Sequence, residues 1–124
     1  MNDINQLTGE VIGAAIEVHK TLGPGLLESV YEECLCYELQ IRNLPYERQK
    51  TLPVDYKDVK LDTGYRLDVV VANELILELK SCDHIQPIHE AQLLTYLKLT
   101  GIKIGLLVNF NTPVLRDGIK RLAN

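Results

Sequence analysis

The sequence predicts one mixed α/β domain over residues 1–124, with helices packed on a sheet of mixed strand direction. Three observations predict it. The chain has 124 residues, 46% of them hydrophobic and only 24% charged, which suits a core-forming domain and excludes a disordered one. Apolar residues in the first third recur at three- and four-residue steps. After Pro45 the pattern changes to extended segments, followed by one more helix and a short apolar strand.

Ile4, Leu7, Val11, Ala14, Ala15, Val18 and Leu22 trace one face of an amphipathic helix from Ile4 to Leu22. Gly23-Pro24-Gly25 stops it. Leu26, Leu27, Val30, Tyr31, Leu35, Leu39 and Ile41 predict a second helix ending near Asn43, and the short connection makes the pair an αα-hairpin. Gln49 to Tyr56 reads as a strand, at an edge because Pro53 lies inside it. Asp62-Thr63-Gly64 reads as a turn. Tyr65–Val71 and Leu75–Ser81 read as strands joined by a tight loop around Asn73. Pro87 to Thr100 is helical, Lys103 to Asn109 is a short buried strand, and Val114 to Ala123 is a terminal helix. The expected order is α-α-β-β-β-α-β-α.

Thirteen basic against seventeen acidic residues leave a net charge of −4. Bulk electrostatic capture of nucleic acid is thereby excluded, and any such binding needs local basic groups or metal ions. Lys50, Lys57, Lys60, Arg66 and Lys80 are the candidates for a basic stripe near the hairpin, against the default of a solvated charged face. Cys34 and Cys36 are two apart on a helix and cannot pair, Cys82 is remote, and no CxxC spacing is present. That usage points to a reducing compartment and away from zinc. MNDINQL lacks signal-peptide character and no apolar run reaches membrane-spanning length, so a cytoplasmic protein without a membrane anchor is expected.

The chemistry concentrates in the hairpin from Tyr65 to Lys80. Leu75, Leu77 and Leu79 share one face of the second strand, and Ile76, Glu78 and Lys80 the other. With a three-residue loop at Ala72-Asn73-Glu74, Val71 pairs with Leu75, Asp68 stands opposite Glu78 and Arg66 opposite Lys80. Burial of the leucine face favours this register over the even-loop alternative. Two opposed carboxylates repel unless something positive lies between them. Lys80 is one candidate for that charge and a divalent cation such as Mg²⁺ is the other. A solvated sheet face of mixed charge is the competing interpretation.

Asp68, followed ten residues on by Glu78-Leu79-Lys80, resembles the core motif of the PD-(D/E)xK nuclease superfamily. Gly25-Leu26-Leu27-Glu28-Ser29-Val30-Tyr31 is similar to the GxxExxY signature of a small prokaryotic family within it. VHKTLGPGLLESVYEECL, HEAQLLTYL and GLLVNF also resemble that family, so the likeness runs from about Leu7 to Leu122. It implies a restriction-endonuclease-like αβββαβ core, with the N-terminal helical hairpin and the C-terminal helix as additions.

The resemblance further implies a Mg²⁺- or Mn²⁺-dependent nuclease hydrolysing DNA phosphodiesters. Asp68, Glu78 and the main-chain carbonyl of Leu79 would hold the ion, and Lys80 would position or activate the attacking water. Leu67 stands where the motif name has proline. Glu28 would be an additional acidic ligand, although an acid in the first turn of a helix is also favoured by the helix dipole. Gln92 and Tyr96, four apart on one helical face, match the QxxxY motif of the exonuclease-like branch and would support the site or touch the strand. Tyr31 and His19 are supporting candidates, with His89 a weaker one.

Two further functions compete. One is a non-catalytic binding or accessory module that keeps the nuclease fold, with the apolar helical hairpin forming a homodimer interface. The other is a nucleotide phosphohydrolase, for which the chain offers no Gly-rich phosphate loop. Cys82 next to Asp83-His84 lacks an oxyanion donor, so a thiol nucleophile is rejected.

Overall fold

The structure is a computed structural model that describes residues 3–124, apart from the side chain of Thr63. Met1 and Asn2, part of the N-terminal segment read above for targeting, lie outside the described residues. Helix α1 spans Ile4–Leu22 and opens on Asp3, whose carboxylate accepts a hydrogen bond from the Asn5 N–H. Helix α2 spans Glu28–Ile41. Strands β1 (Tyr46–Tyr56), β2 (Val59–Val71) and β3 (Leu75–Lys80) follow, then α3 (Pro87–Thr100), β4 (Ile104–Asn109), a short 3-10 turn (Leu115–Gly118) and β5 (Ile119–Ala123).

The five strands form one sheet in the order β1-β2-β3-β4-β5. Only β3 and β4 are parallel, and α3 is the crossover that joins them. The fold class is therefore the mixed α/β one read from the sequence. Helices α1 and α2 cover one face, packing Val11, Ala15, Val18, Leu35 and Leu39 onto Val69, Leu77, Leu106 and Val108. Helix α3 covers the other, packing Leu93, Tyr96 and Leu97 onto Val70, Ile76 and Leu107. Because β3 is central and covered on both faces, it is apolar on both, apart from Glu78 and the terminal Lys80. Of the apolar helical-hairpin residues, Leu7, Val11, Val18, Leu35 and Leu39 lie in the core, while Leu27, Val30 and Ile41 are exposed.

Three expectations are corrected. The terminal helix over Val114–Ala123 is instead the 3-10 turn and strand β5, which pairs antiparallel with β4 from Val108↔Ile119 to Ile104↔Ala123. Without β5, the apolar β4 would present an open edge. Asp62-Thr63-Gly64 does not separate two strands. The β1–β2 reversal falls at Lys57-Asp58, and the 62–64 segment is an irregularity inside one long strand. There the Asp62 Oδ1 accepts from the Gly64 N–H while Gly64 takes a φ of 78°. Arg66 does not face Lys80, because it pairs with Thr51 of β1 and the β2–β3 rungs end at Val69↔Leu77.

Gly118 makes the turn into β5 possible. A Cβ there would collide with the Asn109 carbonyl oxygen, which backbone cannot easily yield. Gly118→Ala is expected to cost at least about 2 kcal/mol in urea unfolding. Gly9→Ala, with nothing near its added methyl, is expected to be neutral or stabilising by up to about 1 kcal/mol.

Candidate active site

The site forms where the β2–β3 ladder breaks. Val71↔Leu75, Val70↔Ile76 and Val69↔Leu77 are regular partners, in the register the three-residue loop predicts. The following hydrogen-bonded rung would join Leu67 to Leu79. Instead the Leu79 N–H donates to the Asp68 Oδ2 at 2.8 Å, and the Asp68 N–H donates to the Glu78 Oε2 at 3.0 Å. Each carboxylate thus binds the backbone of the other residue's strand in place of a main-chain rung. The distortion also shows in packing: Leu67 and Val70, three apart, both join the α3-side core, so the alternation of faces is lost at Asp68.

Glu78 is only 4% exposed. Burial, and then the negative charge of Asp68, push its carboxyl pKa well up. Asp68 moves in the same direction, chiefly through burial, against the lowering effect of the Leu79 N–H. The charges of Glu32 and Glu28 add to the rise and that of Lys80 opposes it. A buried carboxylate pair of this kind favours an added positive charge.

Lys80 ends β3, half-buried, and forms none of the ion pairs found among the described residues. Its carbonyl accepts from the Phe110 N–H at 2.9 Å, facing β4. Alternation along the strand then turns the Leu79 carbonyl toward β2, into the rung position that Leu67 does not fill. Two carboxylates and one main-chain carbonyl are the kind of oxygen donors that suit a hard divalent cation, which completes its shell with water and phosphate oxygens. No group of three or more His, Cys, Asp and Glu side chains that could cage a metal occurs among the described residues. The donor set therefore fits an open site that shares its ion with substrate, and not a closed structural one.

The remaining candidates divide. Tyr96 on α3 is buried beside the pair, and burial followed by the Glu78 charge pushes its hydroxyl pKa up to about 12. Gln92, half-buried one turn earlier, lies on the same helical flank. Tyr65 of β2 stands against Tyr96, with ring centroids 6.2 Å apart. Glu28 begins α2 and reaches Asp68 only through its charge.

Tyr31 and His19 make their hydrogen bonds to main-chain groups of loops. Tyr31 is fully buried, stacked on Phe110 at 4.3 Å, with its hydroxyl donating to the Gly23 carbonyl and accepting from the Leu26 N–H. It pins the Gly23–Leu27 loop and, through it, the start of α2. His19 binds the Thr112 carbonyl at 2.8 Å and ties α1 to the loop after β4. His89 serves the α3 N-terminus, its Nδ1 accepting from the Gln86 N–H.

Sequence reasoning missed three participants. Asn109 is buried at the end of β4, and its amide bonds both the N–H and the carbonyl of Cys82, fixing the chain just past Lys80. Glu32, 7% exposed on α2, accepts from the Arg48 Nε and Nη2 and from the Gln49 Nε2. Gln49 itself takes a φ of 49°, and the Gln49–Asp68 rung is missing from otherwise continuous β1–β2 pairing between Arg48↔Val69 and Lys50↔Leu67.

Asp68 and Glu78-Leu79-Lys80 thus meet at a broken hairpin rung of a mixed sheet whose crossover helix is α3. The family model of the PD-(D/E)XK nuclease superfamily matches residues 5–122, and the chain belongs to that superfamily. Its nucleases generally use divalent metal ions. No curated protein and no solved structure matches the chain. No helix among the described residues is long and apolar enough to cross a membrane.

Proposed function

We propose that this chain is a Mg²⁺- or Mn²⁺-dependent nuclease that hydrolyses DNA phosphodiester bonds. The observation that carries the reading is the reciprocal pair of hydrogen bonds at the broken rung. These bonds leave one oxygen of each buried carboxylate, together with the Leu79 carbonyl, free of those contacts. Asp68, Glu78 and the Leu79 carbonyl hold the ion, with Glu28 as an outer acidic partner. When bound, the divalent ion neutralises charge on the phosphate and makes the attacking water more acidic. In the hydrolysis a water oxygen bonds to phosphorus, the bond from phosphorus to a sugar oxygen breaks, and that sugar oxygen leaves as an alcohol. The Lys80 ammonium donates to the phosphate oxygen on which charge accumulates. Tyr96 and Gln92 hold the α3 flank of the pocket.

The β1–β2 hairpin supplies a place for the nucleic-acid backbone. It runs well past the last β2–β3 rung and exposes Lys57, Lys60 and Arg66, interleaved with Asp55, Asp58 and Asp62. An ion bridging protein and phosphate reconciles that mixed charge, and the net −4, with a polyanionic substrate. Gly25, Glu28 and Tyr31 support membership of the GxxExxY group within the superfamily.

Calorimetric titration with Mn²⁺ tests the reading. The wild type is expected to bind, and Asp68→Ala and Glu78→Ala to lose the heat of binding while staying folded by circular dichroism. A folded wild type that takes up no Mn²⁺, even with an oligonucleotide present, would sink the proposal.

A further inference from the structure

Asp68 can give its N–H to Glu78 only because β1 does not claim it. In a regular antiparallel pair the residue facing Asp68 would be Gln49, which lies between Arg48 and Lys50 and so between the rungs to Val69 and Leu67. Gln49 is instead turned into the left-handed region, which a non-glycine residue occupies only when its surroundings hold it there. Glu32 is what holds it. One carboxylate oxygen accepts from the Gln49 Nε2 at 2.7 Å, and the other accepts from the Arg48 Nη2 at 3.0 Å and Nε at 3.2 Å. Arg48 also reaches Glu33 at 2.8 Å, so two successive acids of α2 anchor two successive residues of β1. Glu32 is buried, and a buried acid fully occupied by three donors is a rigid anchor. Its charge is also felt at both Asp68 and Glu78.

We infer that Glu32 is a positioning residue. Through Gln49 and Arg48 it turns the Gln49 backbone out of the rung with Asp68, which frees the Asp68 N–H for Glu78 and sets the geometry of the carboxylate pair. The inference rests on reading Asp68 and Glu78 as ion ligands. Groups that orient ligands from behind typically change metal affinity 10–100-fold when altered.

The test is a swap of the two partners in the full chain, read by Mn²⁺ calorimetry and by hydrogen exchange at the Asp68 and Leu79 amides. Val69 and Val71 serve as references within the same strand. Glu32→Gln sets an amide donor against the Gln49 amide and is expected to weaken Mn²⁺ binding about tenfold or more. Gln49→Glu, at an exposed position that folding tolerates, sets two carboxylates together and is expected to weaken binding similarly. A purely electrostatic influence predicts the reverse for Gln49→Glu, since added negative charge would tighten it. The double variant Glu32→Gln/Gln49→Glu restores one donor facing one acceptor and is expected to recover most of the affinity. Both single variants are expected to speed exchange at Asp68 and Leu79 and leave Val69 and Val71 unchanged.

Wild-type affinity in Gln49→Glu, with unaltered Asp68 exchange, overturns the inference. If the wild type binds no Mn²⁺, the nuclease reading fails, and the exchange pattern alone decides whether Glu32 positions Asp68.

Discussion

Lys80→Met is expected to slow DNA hydrolysis by roughly 10²–10⁴-fold. Its Mn²⁺ affinity is expected to stay equal to, or above, that of the wild type. Lys80 is a cation whose charge is felt at both carboxylates and which forms none of the ion pairs among the described residues; its carbonyl is held by the Phe110 N–H, and Cys82, two residues on, by the Asn109 amide. Its ammonium is therefore free to serve the phosphate. Removing it deletes a donor to the charge that grows during hydrolysis but no ion ligand. It also removes a positive charge felt at both Asp68 and Glu78, and with it the repulsion that charge exerts on an added cation. Methionine keeps the length of the half-buried side chain. Parallel loss of activity and ion binding would reassign Lys80 to folding of the site, and full activity would remove it from catalysis.

In EDTA, the melting temperature is expected to fall as the pH rises from 5 to 8.5. Burial and the Asp68 charge raise the Glu78 pKa from 4.5 to about 8 in the folded chain. The folded state therefore holds a proton that the unfolded state releases. The associated stability is fully present below the unfolded value and is lost as pH rises through the folded one. Asp68 moves in the same direction. Each kcal/mol lost corresponds to about 4–8 °C in a domain near this size, so a drop of at least about 5 °C is expected. Added Mn²⁺ at pH 8.5 is expected to restore it, because an ion that binds the folded state alone stabilises it. Glu78→Gln, which cannot ionise, is expected to flatten the profile and melt above the wild type at pH 8.5 in EDTA. A wild-type profile as flat as that of Glu78→Gln would mean the two carboxyls are not electrostatically strained.

The candidate site was legible because its signals are local. Asp68, Glu78 and Lys80 lie within thirteen residues, and the loop Ala72-Asn73-Glu74 sets the register that opposes the two acids. Consecutive left-handed residues at Ala72 and Asn73 close that loop, a conformation in keeping with an asparagine at its centre. Tyr96 was singled out with Gln92 by likeness to the QxxxY motif, since the spacing alone is equally that of a half-buried tyrosine beside a helical glutamine. Glu32 was not, since an acid inside EECL reads as an exposed helical charge until β1 brings Arg48 and Gln49 onto it.

What the sequence by itself determined is whatever depends on neighbours a few residues away. The bounds of α1 and α3, the Gly-Pro-Gly stop, the edge position of the Pro53 strand and the Asp68–Glu78 register all follow from periodicity, capping and turn chemistry. Tertiary structure decided the rest. Leu115, Ile119 and Leu122 are spaced as a helix face would be, yet β4 needs a partner at its open edge, and that long-range pairing outweighs local preference. The left-handed Gln49 and the Asn109 clamp likewise arise from groups distant in the chain. Their hydrogen bonds become favourable only once burial has removed the competing water.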